Sequence, residues 1–135
     1  MEKITVQATV LADVTKVWNC YTAPEHITQW NFAHPSCHCP SASNQLQPGG
    51  KYVARMEAKD GSFGFDFEAV YLEVKEHEKL RYEFGGRQAE ILFTPGQGGT
   101  LVSITFDPET ENAIELQREG WQAILNNFKS YTESR

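Results

Sequence analysis

The chain has 135 residues, 40% of them hydrophobic and 12% aromatic, which predicts one globular domain over residues 1–135. Its formal net charge of −6 makes phosphate backbones and anionic membrane surfaces unfavourable partners, so we expect neither nucleic-acid binding nor membrane insertion. The N-terminus lacks a signal-peptide pattern and no stretch approaches the ~20 apolar residues that span a bilayer, so we expect a cytoplasmic protein.

The first part of the chain predicts one strand followed by two short helices. Residues 3–11 alternate apolar and polar side chains with the period of a half-buried strand. Asp13 is a suitable N-cap for a helix over about 14–21, whose apolar residues recur at helical spacing. A second helix is predicted over about 24–30, with Pro24 in its first turn.

A long irregular stretch, residues 31–50, precedes five consecutive strand signals. Short turns such as Asp60-Gly61 separate these strands, which favours antiparallel pairing of neighbours. The apolar face of the second strand switches part of the way along, which predicts a bulge or bend near Ala69. The five strands are predicted over residues 51–58, 63–74, 79–84, 87–94 and 100–106.

The last predicted element is an amphipathic helix over about 111–132, with residues such as Trp121, Leu125 and Phe128 on one face. Gly120 interrupts it at a cost of ~1 kcal/mol relative to alanine. An antiparallel sheet of about six strands twists and curls, and only inside that curl can the helix cover its apolar face. The predicted fold class is therefore α+β, a curved antiparallel sheet wrapped round a long C-terminal helix.

The inward-facing side chains of the strands and the last helix fill a packed core or line a cavity. Residue types alone do not distinguish these alternatives, and a packed core is the simpler interpretation. Polar groups that share the apolar face, such as Tyr82 and Gln117, are the feature that would favour a cavity, because small-molecule sites combine apolar walls with a few polar contacts.

Three blocks of the chain resemble the SRPBCC superfamily, which contains START domains and birch-pollen-allergen-like proteins. They are most similar to bacterial homologues of the C-terminal domain of the heat-shock-protein-90 ATPase activator. The resemblance implies the helix-grip fold, in which a hydrophobic cavity lies between the curved sheet and the C-terminal helix. The blocks read ADVTKVWNCYTAPEHITQWN, GGKYVARMEAKDGSFGFDFEAVYLEV and FDPETENAIELQREGWQAILNNFKSYTE.

The resemblance also implies a function, the binding of a hydrophobic small molecule such as a lipid, sterol, polyketide or flavonoid. On this hypothesis we assign no catalytic residue, no metal ligand and no cofactor. The predicted cavity residues are Trp30, His38, Tyr52, Arg55, Met56, Phe65, Phe67, Tyr82, Phe93, Ile104, Gln117, Trp121 and Leu125.

Cys37, His38 and Cys39 stand side by side, with His34 just upstream. Zinc needs three or four converging ligands, whereas neighbours on an extended segment alternate in direction. A cysteine nucleophile would need an oriented base, and nothing in the sequence indicates a group that orients His38. By resemblance, the segment is instead the loop across the cavity entrance, where His38 is either a polar group at the mouth or a solvent-exposed histidine without a role.

Other functions and partners stay open at this point. A small cyclase or hydrolase could use the same cavity, with His38 or Tyr82 as its acid–base group. The resemblance to the activator's C-terminal domain would also fit a module that interacts with a chaperone. An exposed sheet edge would permit a homodimer. The three cysteines form no disulfide framework and fit a reducing compartment.

Overall fold

The computed structural model describes residues 2–135 as a single curved sheet with three helices. Its six long strands and three helices match the predicted elements to within a few residues. Two short strands, β2 and β3, form in the stretch predicted to be irregular. In chain order the elements are β1 (Ile4–Val10), α1 (Val14–Thr22), α2 (Pro24–Trp30), β2 (Cys37–His38), β3 (Ala42–Asn44), β4 (Lys51–Ala58), β5 (Gly64–Lys75), β6 (Lys79–Phe84), β7 (Arg87–Gly96), β8 (Gly99–Phe106) and α3 (Ile114–Glu133).

The sheet has eight antiparallel strands in the order β1-β8-β7-β6-β5-β4-β2, and β3 also pairs with β4. Strands β4 to β8 lie beside their chain neighbours, as the short turns between them require. The first helix begins where expected, because the Asp13 carboxylate accepts a hydrogen bond from the Lys16 N–H at 2.9 Å. None of the helices within residues 2–135, including the 20-residue α3, is both long and apolar enough to cross a membrane.

Strand β5 bulges at Leu72, whereas the sequence predicted the irregularity near Ala69. Its pairing with β6 shifts between Tyr71 and Glu73, so Leu72 is the extra residue. Ala69 and Tyr71 both face the core, with 3% and 2% of their surface exposed. The sequence pattern was misleading because the apolar side chains of Val70 and Leu72 lie on the solvent side of the sheet.

Helix α3 packs into the concave face of the sheet. Near its C-terminal end the fully buried Phe128 contacts Tyr21 and Trp30, with ring centroids 5.1 and 5.0 Å away. Nearer the N-terminal end, Trp121 stacks on Phe106 of β8 with centroids 3.9 Å apart. The helix is therefore held at two places along its length, and the volume between them determines whether a cavity exists.

Side chains of α3 cover the free edge of β1. The Lys129 ammonium donates to the Thr9 carbonyl at 2.7 Å, and the Leu11 N–H donates to the Glu133 carboxylate at 2.8 Å. These contacts satisfy backbone groups that an edge strand would otherwise present to another chain. The edge of β1 is thus partly covered by side chains of the same chain.

Glu133 makes the stability of this edge depend on pH. The hydrogen bond from Lys129, together with that from the Leu11 N–H, lowers the pKa of Glu133 below its ordinary value. A carboxylate with a lowered folded pKa contributes stability above its unfolded pKa, and this contribution is lost as the pH falls through the folded pKa. We expect the free energy of unfolding, measured by urea titration, to fall less steeply between about pH 5 and about pH 3 in Glu133→Gln than in the parent protein.

The control for this experiment is Glu119→Gln, on the exposed side of the same helix and without an ion-pair partner among residues 2–135. It should retain the pH profile of the parent protein. A Glu133→Gln profile that coincides with the parent profile would show that the contacts of Glu133 do not stabilise the edge.

Gly120 should be replaceable by alanine at a gain in stability. A Cβ atom added there would meet nothing within 4 Å, and the position is an ordinary one in the interior of α3. We expect Gly120→Ala to raise the free energy of unfolding by about 0.5–1 kcal/mol in urea titrations. Gly85→Ala is the contrasting variant, because Gly85 has a φ of 57° that alanine adopts only with strain. A destabilised Gly120→Ala protein would contradict this account of the helix.

Candidate functional site

A cavity of about 190 Å³ lies between the inner face of the sheet and α3. Helices α1 and α2, strands β4, β5, β6 and β8, and α3 all contribute to its wall. With the exception of one asparagine, the lining side chains are apolar or aromatic. They are Tyr21, Trp30, Asn31, Tyr52, Met56, Phe65, Phe67, Tyr82, Ile104, Trp121, Ile124 and Leu125.

The structure brings together around this cavity nine of the thirteen residues predicted from the sequence. The nine are Trp30, Tyr52, Met56, Phe65, Phe67, Tyr82, Ile104, Trp121 and Leu125. Three further lining residues were missed. Tyr21 and Ile124 belong to the apolar stripes of α1 and α3, so helical periodicity could have identified them. Asn31 follows the last residue of α2, where no periodic pattern indicates which way a side chain points.

Arg55 and His38 do not line the cavity but lie on the outer face of the sheet. Side chains alternate along β4, so Arg55 points outward while Met56 points inward. The Arg55 guanidinium lies 2.8 Å from the Glu57 carboxylate and 3.5 Å from that of Asp66. His38 Nε2 lies 3.4 Å from the other oxygen of Glu57. The hydrogen bond from Arg55 lowers the pKa of Glu57, and the group forms a surface ion-pair network.

Phe93 and Gln117 are also displaced from the predicted site. Phe93 is a core residue that packs edge-on against Trp18 and Tyr21, with ring centroids 5.1 and 5.5 Å away. Gln117 accepts a hydrogen bond from the Glu109 N–H at 2.8 Å and donates to the Glu109 carbonyl at 3.0 Å. Its amide therefore ties the loop before α3 to the first turns of the helix, which accounts for a polar residue on the apolar stripe.

The Cys37–Cys39 segment forms the edge of the sheet beside β4. Cys37 and His38 occupy successive positions of β2, so their side chains point to opposite faces. Cys39 is buried, its Sγ lies 3.5 Å from the Ser41 carbonyl, and burial raises the pKa of its thiol. Within residues 2–135, no group of three or more histidine, cysteine and acidic side chains is placed to hold a metal ion.

Tyrosine hydroxyls make one part of the cavity polar. The Asn31 Nδ2 donates to the Tyr52 hydroxyl at 3.0 Å, and Tyr21 and Tyr82 line the same cavity. Burial raises the pKa of all three tyrosines, and the nearby hydroxyl groups, including that of Tyr71, raise it further. These groups therefore stay protonated at neutral pH, where each can donate and accept hydrogen bonds.

The cavity meets the surface beside the β4–β5 hairpin. Met56 of β4 and Phe65 of β5 are directly paired, and both line the cavity. Phe65 has 51% of its surface exposed, which is unusual for a large aromatic residue that also contacts an interior space. Trp121 and Ile124 of α3 are half-buried lining residues. The arrangement provides an apolar recess with an apolar rim.

Comparison with protein families gave one match over most of the chain. The family model described as Activator of Hsp90 ATPase homolog 1-like protein matches residues 11–133. A parallel search of curated proteins gave no significant match.

Solved structures similar to this chain come from several bacteria. The AHSA1-like protein from Aeromonas hydrophila is 37% identical with a TM-score of 0.92, over 98% of this chain and 92% of that one. Chr148 from Cytophaga hutchinsonii is 49% identical with a TM-score of 0.84, over the same shares of the two chains. CV1439 from Chromobacterium violaceum is 21% identical with a TM-score of 0.86, over 98% of this chain and 99% of that one, a likeness of fold.

Proposed function

The chain belongs to the family of Activator of Hsp90 ATPase homolog 1-like proteins, and we propose that it binds a hydrophobic small molecule between its sheet and α3. Proteins with the fold of the SRPBCC superfamily, which includes this family, commonly bind hydrophobic ligands. The observation that carries the proposal is the cavity of about 190 Å³, which has apolar walls and opens beside Met56 and Phe65. Concave apolar sites with a few polar groups are the usual form of small-molecule sites.

The size of the cavity limits what fits inside it without rearrangement. A cavity of roughly 150 Å³ lined by apolar side chains accommodates a benzene molecule. The present cavity of about 190 Å³ therefore suits a single ring or a short acyl segment. A sterol or a flavonoid would extend through the mouth, where Met56 and Phe65 would have to move aside.

The expected affinity follows from the apolar surface that the cavity removes from water. Enclosing about 200 Å² of a small aromatic ligand contributes roughly 5 kcal/mol before ordering costs. A net free energy of that size would correspond to a dissociation constant of roughly 0.2 mM, so apolar burial of this extent alone supports binding no tighter than that. A ligand that also fills the mouth would bind more tightly because it buries more apolar surface.

Binding is favoured over catalysis by the placement of the ionisable groups. His38, the expected acid–base group of a cyclase or hydrolase, lies on the opposite face of the sheet and pairs with Glu57. Tyr82 does line the cavity, but burial raises its pKa well above the ordinary value. An acid–base catalyst works best with a pKa near the working pH, so a neutral buried tyrosine is a poor proton carrier.

The family description supports one alternative, a contact with a chaperone ATPase. A pull-down with immobilised chain and purified chaperone tests it directly. If both the parent protein and the filled-cavity variant Ile124→Phe retain the chaperone, the contact does not require a bound ligand. The absence of retention would remove this alternative and leave the cavity function untouched.

Ligand binding can be tested with ethylbenzene as the probe. Trp30 and Trp121 line the cavity, so a bound aromatic molecule should change the tryptophan emission in a saturable way. Filling the cavity with Ile124→Phe should weaken ethylbenzene binding by about tenfold or more, because the larger ring takes the ligand's volume. Far-UV circular dichroism and urea unfolding check that the variant is folded.

The matched control is Leu116→Phe on the same helix, because Leu116 is 58% exposed and does not line the cavity. It should bind ethylbenzene like the parent protein. If the parent protein shows no saturable change, or if the folded Ile124→Phe variant binds as tightly as the control, the proposed function is wrong.

A further inference from the structure

The hydroxyl of Tyr82 has no hydrogen-bond partner among residues 2–135, although only 6% of this residue's surface is exposed. Within the same residues, Thr132 Oγ1 is the one fully enclosed side-chain polar atom without a partner. The Tyr82 hydroxyl therefore keeps accessible surface. Because Tyr82 is otherwise buried and lines the cavity, that surface belongs to the cavity.

Neither neighbouring tyrosine forms a hydrogen bond with this hydroxyl. Tyr71, which pairs with Tyr82 across the strands, donates its proton to Asn44 Oδ1 at 2.7 Å. Tyr52, whose ring is parallel to that of Tyr82 with centroids 6.1 Å apart, accepts from Asn31. Buried donors without acceptors are costly, and they are normally paired. The cavity thus presents hydroxyl groups that can donate hydrogen bonds to a bound molecule.

The charge of the lining defines the guest further. The side chains that line the cavity include no acidic, basic or histidine residue. An anionic guest would lose its hydration without gaining a cation, which costs several kcal/mol. Tyrosines that remain protonated donate hydrogen bonds to a neutral oxygen without any transfer of charge.

We propose that the cavity selects neutral aromatic or apolar molecules that carry a carbonyl-type oxygen, which accepts a hydrogen bond from Tyr82. This inference rests on the proposed binding function and specifies its ligand class. Tyr21, which also lines the cavity and whose hydroxyl has no hydrogen-bond partner among residues 2–135, is another donor within the same lining. The apolar part of the guest lies against Trp121 and Leu125, and the oxygen is directed towards β6.

The test compares acetophenone with ethylbenzene, which have similar shapes but differ in the carbonyl oxygen. Affinities of both are measured for the parent protein and for Tyr82→Phe by amide chemical-shift titration. The loss of one hydrogen bond corresponds to about three- to tenfold in affinity. We expect Tyr82→Phe to weaken acetophenone by that factor relative to ethylbenzene.

The ratio of the two affinities is the decisive quantity, because differences in water solubility cancel between parent and variant. Tyr131→Phe is the matched control, since its hydroxyl contacts His26 and does not line the cavity. It should leave the ratio as in the parent protein. Tyr21→Phe serves as the second variant should Tyr82→Phe prove unstable in urea, with a shift of the ratio in the same direction.

The results distinguish failure of this inference from failure of the binding function. If ethylbenzene binds and the ratio is the same in the parent and both cavity variants, the carbonyl preference is wrong while the binding function stands. If benzoate binds as tightly as acetophenone, the requirement for a neutral guest is wrong. If neither ethylbenzene nor acetophenone binds the parent protein, both the binding function and this inference fail.

Discussion

The packing of α3 into the curled sheet is the constraint on which the rest of the structure depends. The helix has one apolar face, and the concave side of the sheet is the surface that can cover it. Phe128 fixes one region of this contact against Tyr21 and Trp30, and Trp121 fixes another against Phe106. The cavity exists because these aromatic contacts hold the helix at a distance from β4 and β5.

The space between α3 and the sheet also lowers the free-energy cost of placing tyrosine hydroxyls in the interior. Tyrosine rings bury a large apolar area while their hydroxyls need a partner or accessible space. Tyr71 finds a partner in Asn44, Tyr52 finds one in Asn31, and Tyr82 retains the space of the cavity. A more tightly packed interior would enclose that last hydroxyl without a partner, so the cavity and the tyrosines depend on each other.

Periodicity in the sequence predicted most of the fold because apolar faces leave a strong signal. The six long strands and the three helices were all predicted, as was the α+β arrangement. Strands β2 and β3 were not, because two or three residues are too few for an alternating pattern to be recognised. The bulge was misplaced because Val70 and Leu72 are apolar yet exposed.

The site was less predictable than the fold, for reasons that differ between residues. Arg55 was assigned to the cavity although its neighbours in β4 required it to point outward, so alternation contained the correct answer. Gln117 lies on the apolar stripe of α3, and only the structure reveals that its amide holds Glu109. Asn31 could not be found at all, because its position depends on how α2 ends rather than on any repeating pattern.

For the proposed binding function, the attachment of α3 to β1 has a consequence for the rate at which a ligand would exchange. Gln122, Lys129 and Glu133 bind the helix to backbone groups of the edge strand, so moving the helix away would break several contacts at once. Met56 and Phe65 line the mouth away from this attachment, and Phe65 has 51% of its surface exposed. Rotamer changes of exposed side chains take picoseconds to nanoseconds. Residence times should therefore be set by how strongly the guest is held rather than by the opening of a gate.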